Sequence, residues 1–511
     1  MRTFLYLLFV SVLVSFSACR SDFNFEPSVG NLAFSKDTVY LDTVFKNIGS
    51  STYTLKVYNK SNKDIKIPTL QLAKGLSSKY RILVDGMQGN NGKIFNNVEL
   101  LAKDSLFIFI ETTANITDAN TTDFLYTDQI QFGEGTNFQT VELVTLIQDA
   151  YFIYPNRLNG VYDSIPAGYN SDNSISRVKG RDLVNNHPEN GNEFNFKTDK
   201  PYVIYGYASV PDGKTLSVPV GAKVNFHKDS GIIVQENATL NVGSGTATAD
   251  NQVIFEGDRL ESFYSDVPGQ WFGVYLRSGS KNHIIKNLIL KNAIVGLLVQ
   301  QNLGTPMLIE NTQIYDCSNV SIYAVNASIE GNNLVVNNAG QATLACTLGG
   351  NYNFKHCTFN NYWPSSKQLA VILNNYAEDN NNIKTPFNLT EATFSNCIIY
   401  GGNQVELLLQ KEEGGQFNYK FNNCLVKFND SGTALATNEL YNEIRNEENG
   451  NVKNKSPRFQ NYNKNKLNID DTSGAFELGN PLYLIAKDIL GNDRNSVNPD
   501  IGAYTNKPFP Q

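Results

Sequence analysis

Residues able to hold a cation or meet a sugar ring gather in one stretch of this 511-residue chain, where Asp258, Arg259, Glu261 and Asp266 lead through Phe263 and Tyr264 to Trp271. Three carboxylates offer hard oxygen ligands of the kind calcium takes. An indole offers a flat apolar face beside a hydrogen-bonding N–H. A structural reading competes and is favoured: Trp271 seals the edge of a layer of strands while Arg259 bonds Asp258 or Asp266, because large aromatics mostly serve packing. The same choice applies to Tyr362 and Trp363, the second candidate surface for a glycan. No cofactor is implied, and calcium is the one ion this loop suits.

Catalysis would need more. Hydrolases of polysaccharides use two or three acids, and lyases use Arg or Lys beside carboxylates that hold calcium. The adjacent acids Glu412-Glu413, Glu447-Glu448 and Asp470-Asp471 stand in polar or turn-like stretches, where charged side chains are mostly solvated. With four histidines in the chain, no nucleophilic triad or phosphate-cradling glycine loop emerges. His187, in the aperiodic run 185–192, has no partner at metal-ligand spacing. A net charge of -7 without a basic stripe argues against nucleic acid.

The elements that would position such residues announce themselves by repetition. A phrase of apolar, any, Asn/His/Gly, variable, any, apolar recurs six times, most clearly at 354–359, 394–399 and 421–426. Its third position falls at Asn287, Asn311, Gly331, His356, Asn396 and Asn423, in steps of 24, 20, 25, 40 and 27, which suggests one degenerate copy between 356 and 396. Repeats of this length mark a solenoid. Short strands from 216 to 255 fit stacked coils, each pairing with the next at about 4.8 Å. Asn at a coil corner tolerates the left-handed conformation and bonds its neighbours above and below. Cys357, Cys397 and Cys424 share the next position and are expected as an inward ladder of small thiols. Disulfides among Cys317, Cys346, Cys357, Cys397 and Cys424 compete, and metal binding less so, since one cysteine per coil is not paired ligand spacing.

Before the repeats, alternating runs at 80–84, 98–101, 105–111, 128–132 and 140–147, with an expected hairpin of 52–58 and 65–67, give the strand count of a β-sandwich. The crowd of Gly, Asn, Asp and Ser over 151–200 reads as a long connection. At the start, Met1-Arg2, an apolar run from Phe4 to Phe16 and Ser17-Ala18-Cys19 resemble a bacterial lipoprotein signal, with Cys19 as the lipidated residue. The competing reading is an ordinary secretory signal. The run is short of the ~20 residues that span a bilayer, whereas two or three acyl chains anchor stably.

The stretch Gly349 to Trp363, with Val253 to Leu260, Pro268-Gly269-Gln270-Trp271 and the terminal Asp500-Ile501-Gly502-Ala503-Tyr504, resembles a family of Bacteroidetes right-handed parallel β-helix lipoproteins, pectate-lyase-like in fold. Four Asp-Ser/Thr-apolar triplets, at 37–39, 42–44, 104–106 and 163–165, resemble the Bacteroidetes O-glycosylation pattern. The resemblance implies an all-β chain: signal 1–19, tether 20–31, immunoglobulin-like β-sandwich 32–150, linker or cap 151–200, right-handed parallel β-helix 201–470, and C-terminal cap and tail 471–511. It carries no catalytic residues across. The expected function is a non-catalytic lipoprotein of the bacterial envelope, lipid-anchored at the outer membrane on its surface or periplasmic face, whose β-helix binds a polysaccharide or another envelope component. A divergent polysaccharide lyase or hydrolase is the alternative. It requires two carboxylates, or an acid with Arg or Lys, on adjacent coils within a groove, and fails if the groove holds Asn, Ser and Thr alone.

Overall fold

The computed structural model describes residues 24–509 except 121, 136–137, 170–171, 173 and 249. The signal, Cys19 and residues 20–23 of the tether lie outside the described residues. The chain divides into two compact units, 1–149 and 150–511.

The first unit is two sheets around one apolar core. One sheet orders Glu26–Pro27, Ile65–Leu72, Leu125–Phe132, Gln139–Gln148 and Thr38–Phe45, with Ile94–Leu100 also on Ile65–Leu72. The other orders Ala33–Phe34, Tyr53–Tyr58, Ser105–Thr112 and Tyr80–Val84. Alternation explains the faces: Leu106, Ile108 and Ile110 point inward from Ser105–Thr112 while Phe107 and Phe109 face out. The hairpin expected at 52–67 does not form. Tyr53–Tyr58 pairs with Ser105–Thr112, whereas Ile65–Leu72 belongs to the opposite sheet. Buried Asn59 drives this crossing, because its amide donates to the carbonyls of Lys63, Leu100 and Leu101 and shapes a wide connection in place of a tight turn.

The second unit is a right-handed parallel β-helix. Its 11-stranded sheet runs from Tyr151–Ile153 to Val452–Lys453, one short strand per coil. A 16-stranded sheet supplies the other two faces of each coil as two arms, joined where Val320–Asn332 and Ala342–Lys355 bend through the corner without a break. The first arm contains Tyr207–Val210, Gly231–Val234, Gly273–Leu276 and Val295–Gln300; the second contains Thr215–Pro219, Thr239–Ser244, Ile284–Lys286 and Met307–Glu310. Inward side chains stack along the axis. Phe354, Phe394 and Phe421 form a column with ring centroids 5.2 and 5.0 Å apart, each fully buried and stabilising by about 1.5–3 kcal/mol.

Four details differ from the sequence reading. Residues 151–200 are the first coil, since Tyr151–Ile153 pairs with Tyr202–Ile204 and Ile175–Asp182 with Tyr207–Val210. The loop residues between these short strands hid them. Gly331 is not a corner; it lies within Val320–Asn332, and Asn333 takes the corner two residues on. There is no coil between 356 and 396, because Thr358–Asn361 pairs directly with Ile398–Gly401. The extra length is an outward hairpin of Tyr376–Glu378 with Lys384–Pro386. Finally, the C-terminal segment does not cap the stack. The short helices over 434–449 do so, burying Tyr441 and Ile444 in the solenoid core.

The segment from about 455 onward instead lies along the outer face of the 11-stranded sheet. Leu467, Ile489, Ala503 and Tyr504 pack on Tyr315 and Val335; Ile469, Ala475 and Ile501 pack on Ile398, Tyr400 and Leu425.

Candidate functional site

The repeated corner residues come together as a ladder. Asn287, Asn311, Asn333, His356, Asn396 and Asn423 all hold φ between +48° and +53°, a region Asn tolerates and most residues resist. Asn333 donates to Asn311 Oδ1 at 3.0 Å and Asn396 to His356 Nε2 at 3.1 Å. The C-terminal segment completes the ladder: Arg494 donates to Asn333 Oδ1, Asn396 donates to the Asn480 carbonyl, and His356 Nδ1 meets the Gly502 carbonyl. A ring that donates through Nδ1 and accepts at Nε2 is neutral, and burial pulls the His356 imidazole down to about 3. The thiols of Cys357, Cys397 and Cys424 lie inward and donate to strand carbonyls at 3.3–3.5 Å. All five described cysteines are free and buried, and burial pushes the Cys357 and Cys424 thiols well up. These groups build the coil and are inert toward solvent.

The loop around Trp271 uses up its own chemistry. Trp271 is 0 % exposed, stacks on Phe226 at 3.9 Å and donates its indole N–H to the Lys291 carbonyl. It therefore offers no face to a sugar. Asp258 Oδ2 accepts from His227 Nδ1 at 2.7 Å. Arg259 pairs with Glu261 at 3.4 Å, rather than with Asp258 or Asp266, and lies 4.1 Å over the Tyr264 ring. Asp266 reaches Lys464 at 3.6 Å. Among the described residues no three His, Cys, Asp or Glu side chains meet as a metal-ligand group. Tyr362 stacks on Tyr462 of the C-terminal segment at 3.9 Å, and the neighbouring Trp363 is half-buried.

The open concavity lies elsewhere, at the corner between the two arms of the 16-stranded sheet. A groove of about 980 Å³ is lined there by Tyr169, Asp182, Asp212, Glu236, Arg277 and Gln301, among others. Register explains the lining. Val210, Val234, Leu276, Val299 and Ala324 pair in succession across five coils, so the residues two places on, Asp212, Glu236, Ser278, Gln301 and Asn326, form a rank along the axis. The inward strand residues are apolar, and the rank begins where the chain turns outward. One wall is the hairpin of Ser164–Tyr169 and Ile175–Asp182, fixed by Ile165 packing on Ile233 and Tyr275 and by Gln235 donating to the Pro166 carbonyl. Tyr169, 72 % exposed, stands on its rim. Asp182, Asp212, Glu236 and Arg277 come from four successive coils, which meets the stated requirement for an enzymatic groove. Sequence reading missed these residues because the repeat alignment started at 287. Extending it to Val210-Pro211-Asp212 and Val234-Gln235-Glu236 would have exposed the rank. A separate cavity in the first unit, about 600 Å³, is lined by Arg81 and Glu111, which are engaged with each other at 2.7 Å.

Comparison with known proteins agrees with this architecture. Residues 217–361 match the family model described as a right handed beta helix region. No curated protein matches the chain. A variant of the GH87 alpha-1,3-glucanase catalytic domain, in complex with nigerose, is 11% identical with a TM-score of 0.25, covering 74% of this chain and 82% of that one. The PapD-like domain 7 of human CEP192 is 13% identical (TM-score 0.16, covering 26% of this chain and 94% of that one) and the E. coli chaperone DraB 12% identical (TM-score 0.16, 28% and 61%). Alignments at these values do not bear on activity. The fold and the groove thus define an all-β protein with a right-handed parallel β-helix and, among the described residues, an open, polar axial groove.

Proposed function

We propose that this protein binds a glycan in the groove at the corner of its β-helix and is held in the bacterial envelope by a lipid on Cys19. The observation that carries the reading is the groove itself: polar side chains left exposed at equivalent positions on successive coils, beside the exposed ring of Tyr169. Sites of about this volume with a few convergent polar groups are the usual shape of a ligand site. A rank repeating at the coil spacing suits a ligand that repeats as well. The loop at 258–271 recedes from the binding role, because its ring is buried and its charges are paired.

A hydrolase or lyase is the second reading, favoured by Asp182, Asp212, Glu236 and Arg277 on adjacent coils. Glycan-array binding and depolymerisation of a defined polysaccharide panel, run on the same purified protein, separate the two. Binding without chain shortening supports the first reading. Chain shortening abolished by Glu236→Gln or Asp212→Asn establishes the second, and silence in both assays removes the glycan reading altogether. Mass spectrometry of the protein from a bacterial membrane fraction tests the anchor, and an unmodified thiol at Cys19 would overturn it.

A further inference from the structure

The groove does not stop at the rank from Asp212 to Asn326. A second concavity of about 550 Å³ continues it along the axis, and the two share Asn302 and Asn326. Its lining includes Ser328, Asn351, Asn388 and Thr390 beside Pro386 and Phe387, so it carries amides and hydroxyls next to an apolar patch and no charged side chain. From Asp182 to Asn388 the combined trough crosses eight coils. At a coil spacing of about 4.8 Å that is a length of roughly 30 Å. Such a trough is far longer than a single sugar and is open along its course.

Its charges are also one-sided. The first chamber holds three carboxylates and one guanidinium, and Arg277 already donates to Gln235 Oε1. Asp212 accepts only from the neutral amide of Asn237 among the described residues, and none of the three carboxylates there is in an ion pair with a described residue. A polyuronate would bring one negative charge per ring against a lining whose single guanidinium is outnumbered by three carboxylates, and like charges in a cleft repel.

Resting on the glycan reading above, we infer that the ligand is an extended, linear, non-acidic glycan lying parallel to the solenoid axis across both chambers. The acidic chamber takes hydroxyl or amino groups, and the amide-lined chamber hydrogen-bonds the chain beyond. Asn302, which exchanges hydrogen bonds with the Ser328 backbone through both its amide atoms, fixes the junction.

The test is calorimetric titration of the detergent-solubilised protein with neutral gluco-oligosaccharides of α-1,3, β-1,3 and β-1,4 linkage, each from disaccharide to decasaccharide, alongside galacturonides of matched length. For at least one linkage, affinity should rise at least tenfold between trisaccharide and octasaccharide. Galacturonides should bind at least tenfold more weakly at low salt, with a gap that narrows as salt is added. Asn351→Trp, at an exposed strand position that tolerates an aromatic, should abolish the tenfold gain from trisaccharide to octasaccharide; Thr390→Trp is the second block. A plateau already at the trisaccharide, or galacturonides bound equally well, overturns the inference while the glycan reading stands. Failure of every oligosaccharide to bind removes both.

Discussion

The outer face of the 11-stranded sheet and the corner that carries the groove belong to the same coils, yet one is sealed and the other is open. On the sealed flank the corner residues Asn333, His356 and Asn396 are buried, and their remaining hydrogen-bond capacity is met by a segment 84 to 161 residues away in sequence, as in the bond between Asn333 and Arg494. On the open flank the rank from Asp212 to Asn326 faces solvent and is bonded only locally, Ser278 donating to Gln301 and Asn237 to Asp212, with no distant segment laid over it among the described residues. Regular repetition therefore does not itself mark a functional surface. Polar side chains at repeating positions are structural where another part of the chain satisfies them, and available for a ligand where none does.

The contrast can be broken most directly by deleting 455–511. That change bares Tyr315, Val335, Ile398 and Leu425 and orphans the ladder, and the loss of some half-dozen buried apolar side chains amounts to on the order of 10 kcal/mol. The truncated chain should fail to give a cooperative urea transition for the solenoid. A transition unchanged from the full chain would mean that the sealed flank is no more structural than the groove. Phe394→Ala, in the middle of the aromatic column, should cost about 3–5 kcal/mol in the same measurement.

His356→Asn sharpens the contrast through pH. The native imidazole stays neutral down to about 3, so the stability it confers is complete above its ordinary value near 6.5. That stability is lost as pH falls through this window, because the unfolded chain takes up a proton that the native ring refuses. The Asn variant, carrying the residue of the other corners, should therefore hold its midpoint better at pH 4, by on the order of 2–3 kcal/mol, with little change at pH 8.

Glu406 predicts the opposite slope. It is fully buried, accepts from the Asn403 amide at 2.7 Å, and burial pushes its carboxyl up to about 7. The native state keeps a proton that the unfolded chain releases above about 4.5, so stability falls as pH rises toward and through 7. Glu406→Gln should raise the midpoint at pH 8 by on the order of 2 kcal/mol and leave it nearly unchanged at pH 4. The smallest effect belongs to the groove. Glu236→Gln should shift stability by less than about 0.5 kcal/mol, the usual scale for an exposed side chain, and a cost above about 1 kcal/mol would place it among the structural groups.

Much of the coil was legible in the residues. Phe354, Phe394 and Phe421 repeat because each must fill the same interior position, and Asn recurs at 287, 311, 396 and 423 because few other residues accept the corner conformation. The misplacement of Gly331 for Asn333 has a local cause: with Asn333 at the corner, Gly331 takes the place that Phe354 fills in the next coil and breaks the apolar phrase, and only pairing of Glu310 with Asn332 shows which one turns the corner. The 40-residue step misled because an outward hairpin lengthens a coil without adding one. In the loop at 258–271 the composition was legible and the direction was not, since nothing in the sequence says that Trp271 faces Phe226 across the interior.

By itself, the sequence determined that the chain is a stack of short β coils, because a coil can bury its apolar side chains only against copies of itself, and that requirement writes a period into the residues. Tertiary structure alone decided which flank of the stack is covered. Its causes are non-local: the C-terminal segment satisfies Asn333, His356 and Asn396, and the hairpin from 164 to 182 walls the groove. Contacts between distant segments leave no period to read, and they separate the buried ladder from the exposed rank of Asp212, Glu236, Ser278, Gln301 and Asn326.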